Sequence, residues 1–531
     1  MQRSREFLST LTDKAVSLYS RKKMLLLAVA LCMVAAAGAL LFLWGTAPHG
    51  IGIRSDSVEY LWSARNLAQG IGLGTLDAFG RLLPLNHFPP LYPLLLAAFE
   101  AAGINGMDGA RWLGALLTLV LILLAGAILS GLTNRSFWFT VIGLLVLFFM
   151  RSFWETCLYA MTESLYLVCS LAGFLCLDDY VRGHHKGPLL AASVLLGLSF
   201  SARYIGISSV AAGIAFILLQ KRLTIKQRLL DSSVMAGIGI LPMLAWIGRN
   251  LALTGTATSR SLELVPISSQ EWKSAFEALT TWIEPIRAGF KPNLANLLVF
   301  LIALAASFFL FGRRKTGPEQ PSTGLAPLLA LYAASYSFLT IAARLWADPA
   351  IPLHEDRILY PFLSSLFLLA VYGLCRLENR IGQSSRPLAA LLAGICVTVA
   401  WGYVRSNSSA TAPYIRPILH SRVDGLGLQF RTSLAADFVA AVAQLPQDEI
   451  FFTDNTHRFY FYTGRSSSYI GELTQSDMQL LQEQLPRSGF ALVFFELSPD
   501  RQQMLLQQLP QLTLIYNDSS GRVVYLGRTI P

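Results

Sequence analysis

Long apolar runs, separated by short polar breaks, fill the chain up to about residue 404. They fall at Met24–Trp44, Ala110–Ser130, Phe137–Met150, Ser164–Tyr180, Pro188–Phe200, Tyr204–Leu219, Val234–Ile247, Leu294–Phe311, Leu325–Ala342, Ile358–Leu374 and Pro387–Val404. A helix that crosses a bilayer needs roughly 20 apolar residues, so the shorter runs must borrow flanking residues or lie deep in a bundle. The pattern predicts about eleven transmembrane helices. The first run follows Arg21-Lys22-Lys23 but is too long for a signal-peptide core and lacks a clear small-residue cleavage site, so it reads as a retained span.

Basic residues set the orientation, because Lys and Arg near span ends stay on the cytoplasmic side. With the N-terminus (residues 1–23) inside, Arg135, then Arg182 and Lys186, then Lys221 to Arg228, then Arg313 to Lys315, and then Arg376, Arg380 and Arg386 all fall on one face. This holds only if "FPPLYPLLLAAFEAAG", Phe88 to Gly103, lies along or dips into the outer leaflet instead of crossing. The outer face then receives the first loop (45–109), Arg151–Glu163, Arg203, Arg249–Asn293, Arg344–Arg357 and the tail.

Beyond residue 404 the pattern changes. "EIFFTD", "RFYFYTGR" and "ALVFFE" read as strands, "SDMQLLQEQL" and "SPDRQQMLLQQL" as helices, and "TLIYNDSSGRVVYLGR" as a hairpin turned at Asp518-Ser519-Ser520-Gly521. The expectation is a mainly α polytopic membrane protein: a transmembrane domain over 24–404 with outer-face juxtamembrane helices, then a small non-cytoplasmic α/β domain over 405–531.

Composition narrows the class. Hydrophobic residues make up 53% of the 531 and charged residues only 14%, against about 25% charged in soluble domains. The formal charge of +10 sits in short runs between apolar segments, whereas a nucleic-acid binder clusters its cations on a soluble face. Nucleic acid is therefore excluded as a partner, and membrane lipids are expected ones. Five of the six cysteines lie in apolar runs and Cys157 in a loop, with no disulfide or metal spacing.

Candidate chemistry collects at the outer ends of spans. Asp56, Tyr60 and Ala64 share one face of a short helix. Asp56-Ser57-Val58-Glu59 also matches a capping box, with Asp56 as the cap and Glu59 as its partner. Pro89 and Pro90 turn the chain before Tyr92, and Glu163 stands at the lip of a span, where an ionisable group is a functional candidate unless it only caps the helix with Thr162. Arg203, the pair Arg249-Asn250, and "HEDR" (His354, Glu355, Asp356, Arg357) stand at three further ends. Each arginine also fits a snorkelling anchor. Asp454, Asn455, His457 and Arg465 suit hydrogen bonding to sugars, or a turn between strands.

These residues resemble the type C glycosyltransferases, polytopic enzymes that use polyprenyl-phosphate sugars. The likeness is to the bacterial branch with aminoarabinose transferase and relatives of protein O-mannosyltransferase. It covers roughly residues 20 to 405 and is carried by Asp56, Tyr60, Ala64 and Gly70, then Pro89-Pro90-Leu91-Tyr92-Pro93, Thr162-Glu163, Arg249-Asn250 with Gly255, and Arg357, Leu359 and Pro361, in that order. Two departures stand out: Ser57 follows the aspartate where many relatives carry a second acid, and Phe88 precedes the double proline where many carry Lys or His. The resemblance implies transfer of a sugar from a polyprenyl-phosphate donor to a lipid, glycan or protein acceptor at the outer face of the inner (plasma) membrane, with inversion. For that chemistry the expected base is Asp56 with Glu163 assisting or orienting; Arg203, Arg249, Arg357 or His87 are the candidates for the donor phosphate, and Tyr60, Tyr92, Asn250, His354 and Glu355 are supporting candidates. A divalent metal at Asp56 and Glu163 is left open. The competing class is a transporter or flippase for an anionic lipid, which would place polar or broken segments at midspan and show internal repeats; the sequence shows neither.

Overall fold

The computed structural model describes residues 2–278, 324–348, 353, 355–408, 416–429, 436–446, 449–485 and 489–527. The described chain groups into two compact units. One holds Met1–Ala47, His87–Leu91 and Trp112–His420; the other holds Pro48–Asn86, Tyr92–Arg111 and Ser421–Pro531.

The first unit is a helical bundle, and the chain is a multi-pass membrane protein. Among the described residues, six helices are long and apolar enough to cross a bilayer, or seven if the pair Phe137–Phe148 and Arg151–Cys157, bent by 65°, is one span. The predicted spans near 188–200, 204–219 and 387–404 are shorter apolar helices, Lys186–Ala202, Tyr204–Leu218 and Pro387–Gly402, and the run Leu294–Phe311 lies outside the described residues. Arg151 to Cys157, expected in a loop, forms a helix with Phe153, Trp154 and Cys157 buried. The Leu91–Ala101 helix has 11 residues. At about 1.5 Å per residue it is too short to span alone.

Connectivity puts Glu163, Arg203, Arg249 and Arg357 at one end of this bundle. Helix Glu163–Gly183 runs away from that end, Lys186–Ala202 returns, and Arg203 occupies the turn into Ile207–Leu218. Helix Ile225–Thr254 returns again and ends on Gly255 in the left-handed conformation (φ 72°), which glycine adopts without strain. Gly324, at the start of Leu325–Trp346, donates its N–H to Asp178 near the far end of Glu163–Gly183 (2.7 Å). Leu325–Trp346 therefore finishes at the Glu163 end, and Asp356–Ser384 starts there. The far end carries its own ionic ties: Asp178 pairs with Arg182 at 2.6 Å, and buried Asp231 accepts from Tyr180 and Lys186.

The second unit contains a three-layer α/β arrangement. Strands β1 (Ile450–Thr453), β2 (Ser468–Tyr469), β3 (Phe490–Phe494), β4 (Leu512–Asn517) and β5 (Val523–Gly527) make one sheet in the order β2-β1-β3-β5-β4, parallel across β2, β1 and β3 and antiparallel across β3, β5 and β4. Alternation sends Phe452, Leu492 and Phe494 to one face, with Met478, Leu481 and Leu505 of helices Gln475–Gln484 and Pro499–Gln508. Phe451, Ala491 and Val493 point to the other, against Phe438 of Ala436–Ala443 and Phe459 of Thr456–Thr463. The predicted helices and the hairpin are present, with Thr474 and Ser498 accepting from the N–H of Asp477 and Arg501 as caps.

One element differs from expectation. "RFYFYTGR" is not a strand but part of the Thr456–Thr463 helix, capped by Asn455, which accepts from the Arg458 N–H at 2.9 Å, and closed by left-handed Gly464. Its aromatic residues suggest a strand by composition, but the cap and the glycine bracket two helical turns and win.

Candidate functional site

In the bundle unit, Glu163 opens its helix and is almost completely buried, with its side chain 2% exposed. A carboxylate at that depth calls for a compensating charge. Two guanidiniums supply it: Arg203 pairs with Glu163 Oε1, and Arg357 Nη1 stands 3.8 Å from the same oxygen. Arg203 also reaches the Thr162 hydroxyl at 3.5 Å, so Thr162 occupies the N-cap position without capping through its side chain. Arg357 pairs in turn with Glu355. The structure thus joins Glu163, Arg203, Arg357 and Glu355 in one ionic cluster of two cations and two carboxylates. His354 lies outside the described residues.

Arg249 is held differently. Its guanidinium lies 4.6 Å from the Trp246 ring centre and donates to Asn250 Oδ1 at 3.0 Å. Buried Asn250 donates in turn to the Ala257 carbonyl (3.0 Å), and Trp246 Nε1 donates to the Tyr204 hydroxyl (3.1 Å). Arginine suits such a place because its planar cation stacks on an aromatic face while its edge donors remain aimed. His87 hydrogen-bonds Ser259 through Nδ1 and packs edge-on against Phe88.

One strong cation went unnoticed in the sequence. Arg344, in the last turn of Leu325–Trp346, is buried and grips Glu271 with two donors, Nε at 3.0 Å and Nη2 at 2.7 Å, while Nη1 donates to the Val265 carbonyl at 3.0 Å. The guanidinium holds the Glu271 carboxyl below its ordinary range. The partner lies 73 residues away in a polar segment, and nothing local announces the pair.

In the second unit, Asp56 occupies the first turn of helix Ser55–Ala68 and is half-buried. It is not the cap. Arg54 takes that position, and its backbone N–H donates to Ser57 Oγ at 3.0 Å. The expected pairing of Asp56 with Glu59 is therefore corrected: Ser57 does that work, and Glu59 instead faces His457, with Oε2 to Nε2 at 3.6 Å. Tyr60 is buried and meets Tyr92 edge-on, ring centres 5.5 Å apart at 72°. Gly70 lies just past the helix at φ 78°, which explains a glycine there. The second unit thus brings Asp56, Tyr60 and Tyr92 together, and the bundle brings together Glu163, Arg203, Arg357 and Glu355.

The tail residues that suit sugars have structural partners. Asp454 accepts from the N–H groups of Phe495 and Glu496 (both 2.9 Å), Asn455 caps a helix, and Arg465 donates to the Leu445 carbonyl (3.1 Å). Burial pushes the Asp454 carboxyl above its ordinary range, against those two donors.

Among the described residues, no three His, Cys, Asp or Glu side chains are grouped to hold a metal ion.

No family model matches the sequence, and no curated protein matches it. The structure is similar to ArnT from Cupriavidus metallidurans bound to undecaprenyl phosphate, at 15% identity over 93% of this chain and 97% of that one, with a TM-score of 0.49. It is likewise similar to the apo state of ArnT from the same organism, at 15% identity over 94% and 98% of the two chains, with a TM-score of 0.47.

Proposed function

We propose that this protein is an inverting membrane glycosyltransferase that moves a sugar from a polyprenyl-phosphate donor to an acceptor hydroxyl on the non-cytoplasmic face of the inner membrane. The observation that carries the reading is the gathering of arginines at one end of the helical bundle. Arg203 and Arg357 are braced by Glu163, and Arg249 is braced by Trp246 and Asn250. The ordered motifs from Asp56 to Pro361 support it, as does the collection of basic residues such as Arg182, Lys186 and Lys221 to Arg228 at the opposite helix ends.

The chemistry suits such a site. Phosphate is already a good leaving group, so the need is for positive charge where negative charge develops as the bond from the sugar's anomeric carbon to the phosphate oxygen breaks. Arg203, Arg249 and Arg357 supply it, with His87 as a further candidate. The acceptor hydroxyl needs a base within about 3 Å. Asp56 takes its proton as the oxygen attacks the anomeric carbon from the face opposite the phosphate, giving an inverted glycoside, polyprenyl phosphate and a protonated Asp56. Glu163 holds Arg203 and Arg357 in place, and no step runs through a metal.

The test uses purified protein, a panel of undecaprenyl-phosphate-linked hexoses and pentoses, and an envelope extract as acceptor. The wild type releases undecaprenyl phosphate from at least one donor and Asp56→Asn does not. Equal release by Asp56→Asn removes Asp56 from the chemistry. Movement of the intact donor across a vesicle, without release, supports the carrier reading instead.

A further inference from the structure

The second unit holds the helix that carries Asp56 in a way the reaction does not by itself require. Successive residues turn about 100° around a helix. Asp56, Tyr60 and Ala64 therefore share one side of Ser55–Ala68, while Glu59, Trp62 and Arg65 share the other, centred roughly 160° away. That opposite side is gripped by one element, the Thr456–Thr463 helix of the C-terminal region. Trp62 stacks flat on Tyr460, with ring centres 3.9 Å apart and planes 9° from parallel. Glu59 faces His457, and the Arg65 guanidinium lies near Tyr460.

The start of the helix is pinned as well. Ile53 forms a bridge to Gly427, its carbonyl accepting from the Leu428 N–H at 2.8 Å, and the Leu428 carbonyl accepts from Tyr462 of the same Thr456–Thr463 helix at 2.7 Å. Gly427 sits at φ 64°, and a Cβ there would stand 1.9 Å from the Ile53 oxygen. Only glycine allows this approach.

We infer that the Thr456–Thr463 helix is the positioning element for Asp56: Tyr460, His457 and Tyr462 fix the axis and start of the Asp56 helix from its far side. This deepens the reading of Asp56 as base and rests on it. A base is effective only when held at hydrogen-bonding distance, and small misplacements cost large factors in rate. Stacked aromatic pairs are suited to fix a helix in rotation, since the flat contact tolerates little twist. His457, Tyr460 and Tyr462 are positioning residues, and none of them needs to touch substrate.

The experiment compares Tyr460→Ala with Tyr460→Phe in the full-length enzyme, using whichever undecaprenyl-phosphate sugar the wild type consumes. It follows kcat, the donor KM, and hydrogen–deuterium exchange over residues 55–68. Tyr460→Ala is expected to lower kcat at least about tenfold with donor KM within about twofold, a loss in line with misplaced reacting groups, and to speed exchange over 55–68 but not over 163–183. Tyr460→Phe, which keeps the stack, recovers most of the kcat.

Unchanged kcat and exchange in Tyr460→Ala overturn the inference, as does an equal loss in Tyr460→Phe. If Tyr460→Ala does not accumulate as folded enzyme, His457→Gln decides: faster exchange over 55–68 with lowered kcat supports the inference, and wild-type values overturn it. An Asp56→Asn enzyme that turns over normally sinks the base assignment. An inactive Asp56→Asn beside a wild-type-like Tyr460→Ala sinks only the clamp.

Discussion

Glu163 and Asp56, two carboxylates that the sequence puts on nearly equal terms, live in opposite surroundings. Glu163 is buried at the lip of a bundle and faces two guanidiniums. Asp56 is half-buried in the first turn of a short helix whose capping is left to Ser57 and whose other side is held by aromatic stacking. A buried anion compensated in this way is a fixed counter-charge. A carboxylate that does not cap its helix, on a helix braced from behind, suits the base role proposed above. What separates the roles is the set of partners around the oxygens, and burial depth alone does not distinguish them.

The contrast predicts different failures. Asp56→Asn is expected to cut turnover by about 10²–10⁴-fold, the usual worth of general-base help, while the thermal midpoint in detergent stays at the wild-type value; a destabilised variant would make Asp56 a structural anion too. Glu163→Ala is expected to cost about 3–5 kcal/mol of stability, because it removes the buried carboxylate that Arg203 and Arg357 both face. A scanning-fluorimetry midpoint equal to wild type, with activity alone lost, would move Glu163 to the chemical side of the comparison. Gly427→Ala should cost roughly 1–3 kcal/mol through forced backbone rearrangement, read as earlier chemical unfolding of the C-terminal region. Smallest is Ser57→Ala. It removes the hydrogen bond at the helix start for about 1 kcal/mol, and turnover should stay within about twofold of wild type; a loss as large as that of Asp56→Asn would mean the cap and the base cannot be separated.

Much of this was legible in the sequence where a signal is local. The apolar runs give the bundle helices, Thr474 and Ser498 mark helix starts, and Asp518 to Gly521 marks the hairpin turn. The ends of spans are legible as well, because ionisable residues such as Glu163, Arg203 and Arg357 interrupt the apolar pattern there. What stayed hidden depends on distant partners. Glu59 fits a capping box until His457 is brought to it from the far end of the chain. Arg344 looks like any span-end anchor until Glu271 folds onto it. "RFYFYTGR" carries strand composition, and only Asn455 and Gly464 outside it reveal a helix. Most bundle helices owe their place to period and length, whereas the clamp on Asp56 is made of contacts that sequence spacing does not encode.

The tie between Ile53 and Gly427 also sets an order of events during synthesis. His49, in the same stretch, bonds the Val423 carbonyl 374 residues later, so the helix bearing Asp56 must wait for nearly the whole chain before its brace exists. Closing such a distant contact is slow compared with forming a local helix. The protein therefore emerges from the ribosome with its bundle able to form early and the helix bearing Asp56 still unbraced. A chain interrupted before the Thr456–Thr463 helix would still hold its apolar bundle segments, while the Ser55–Ala68 helix would lack the stack on Tyr460.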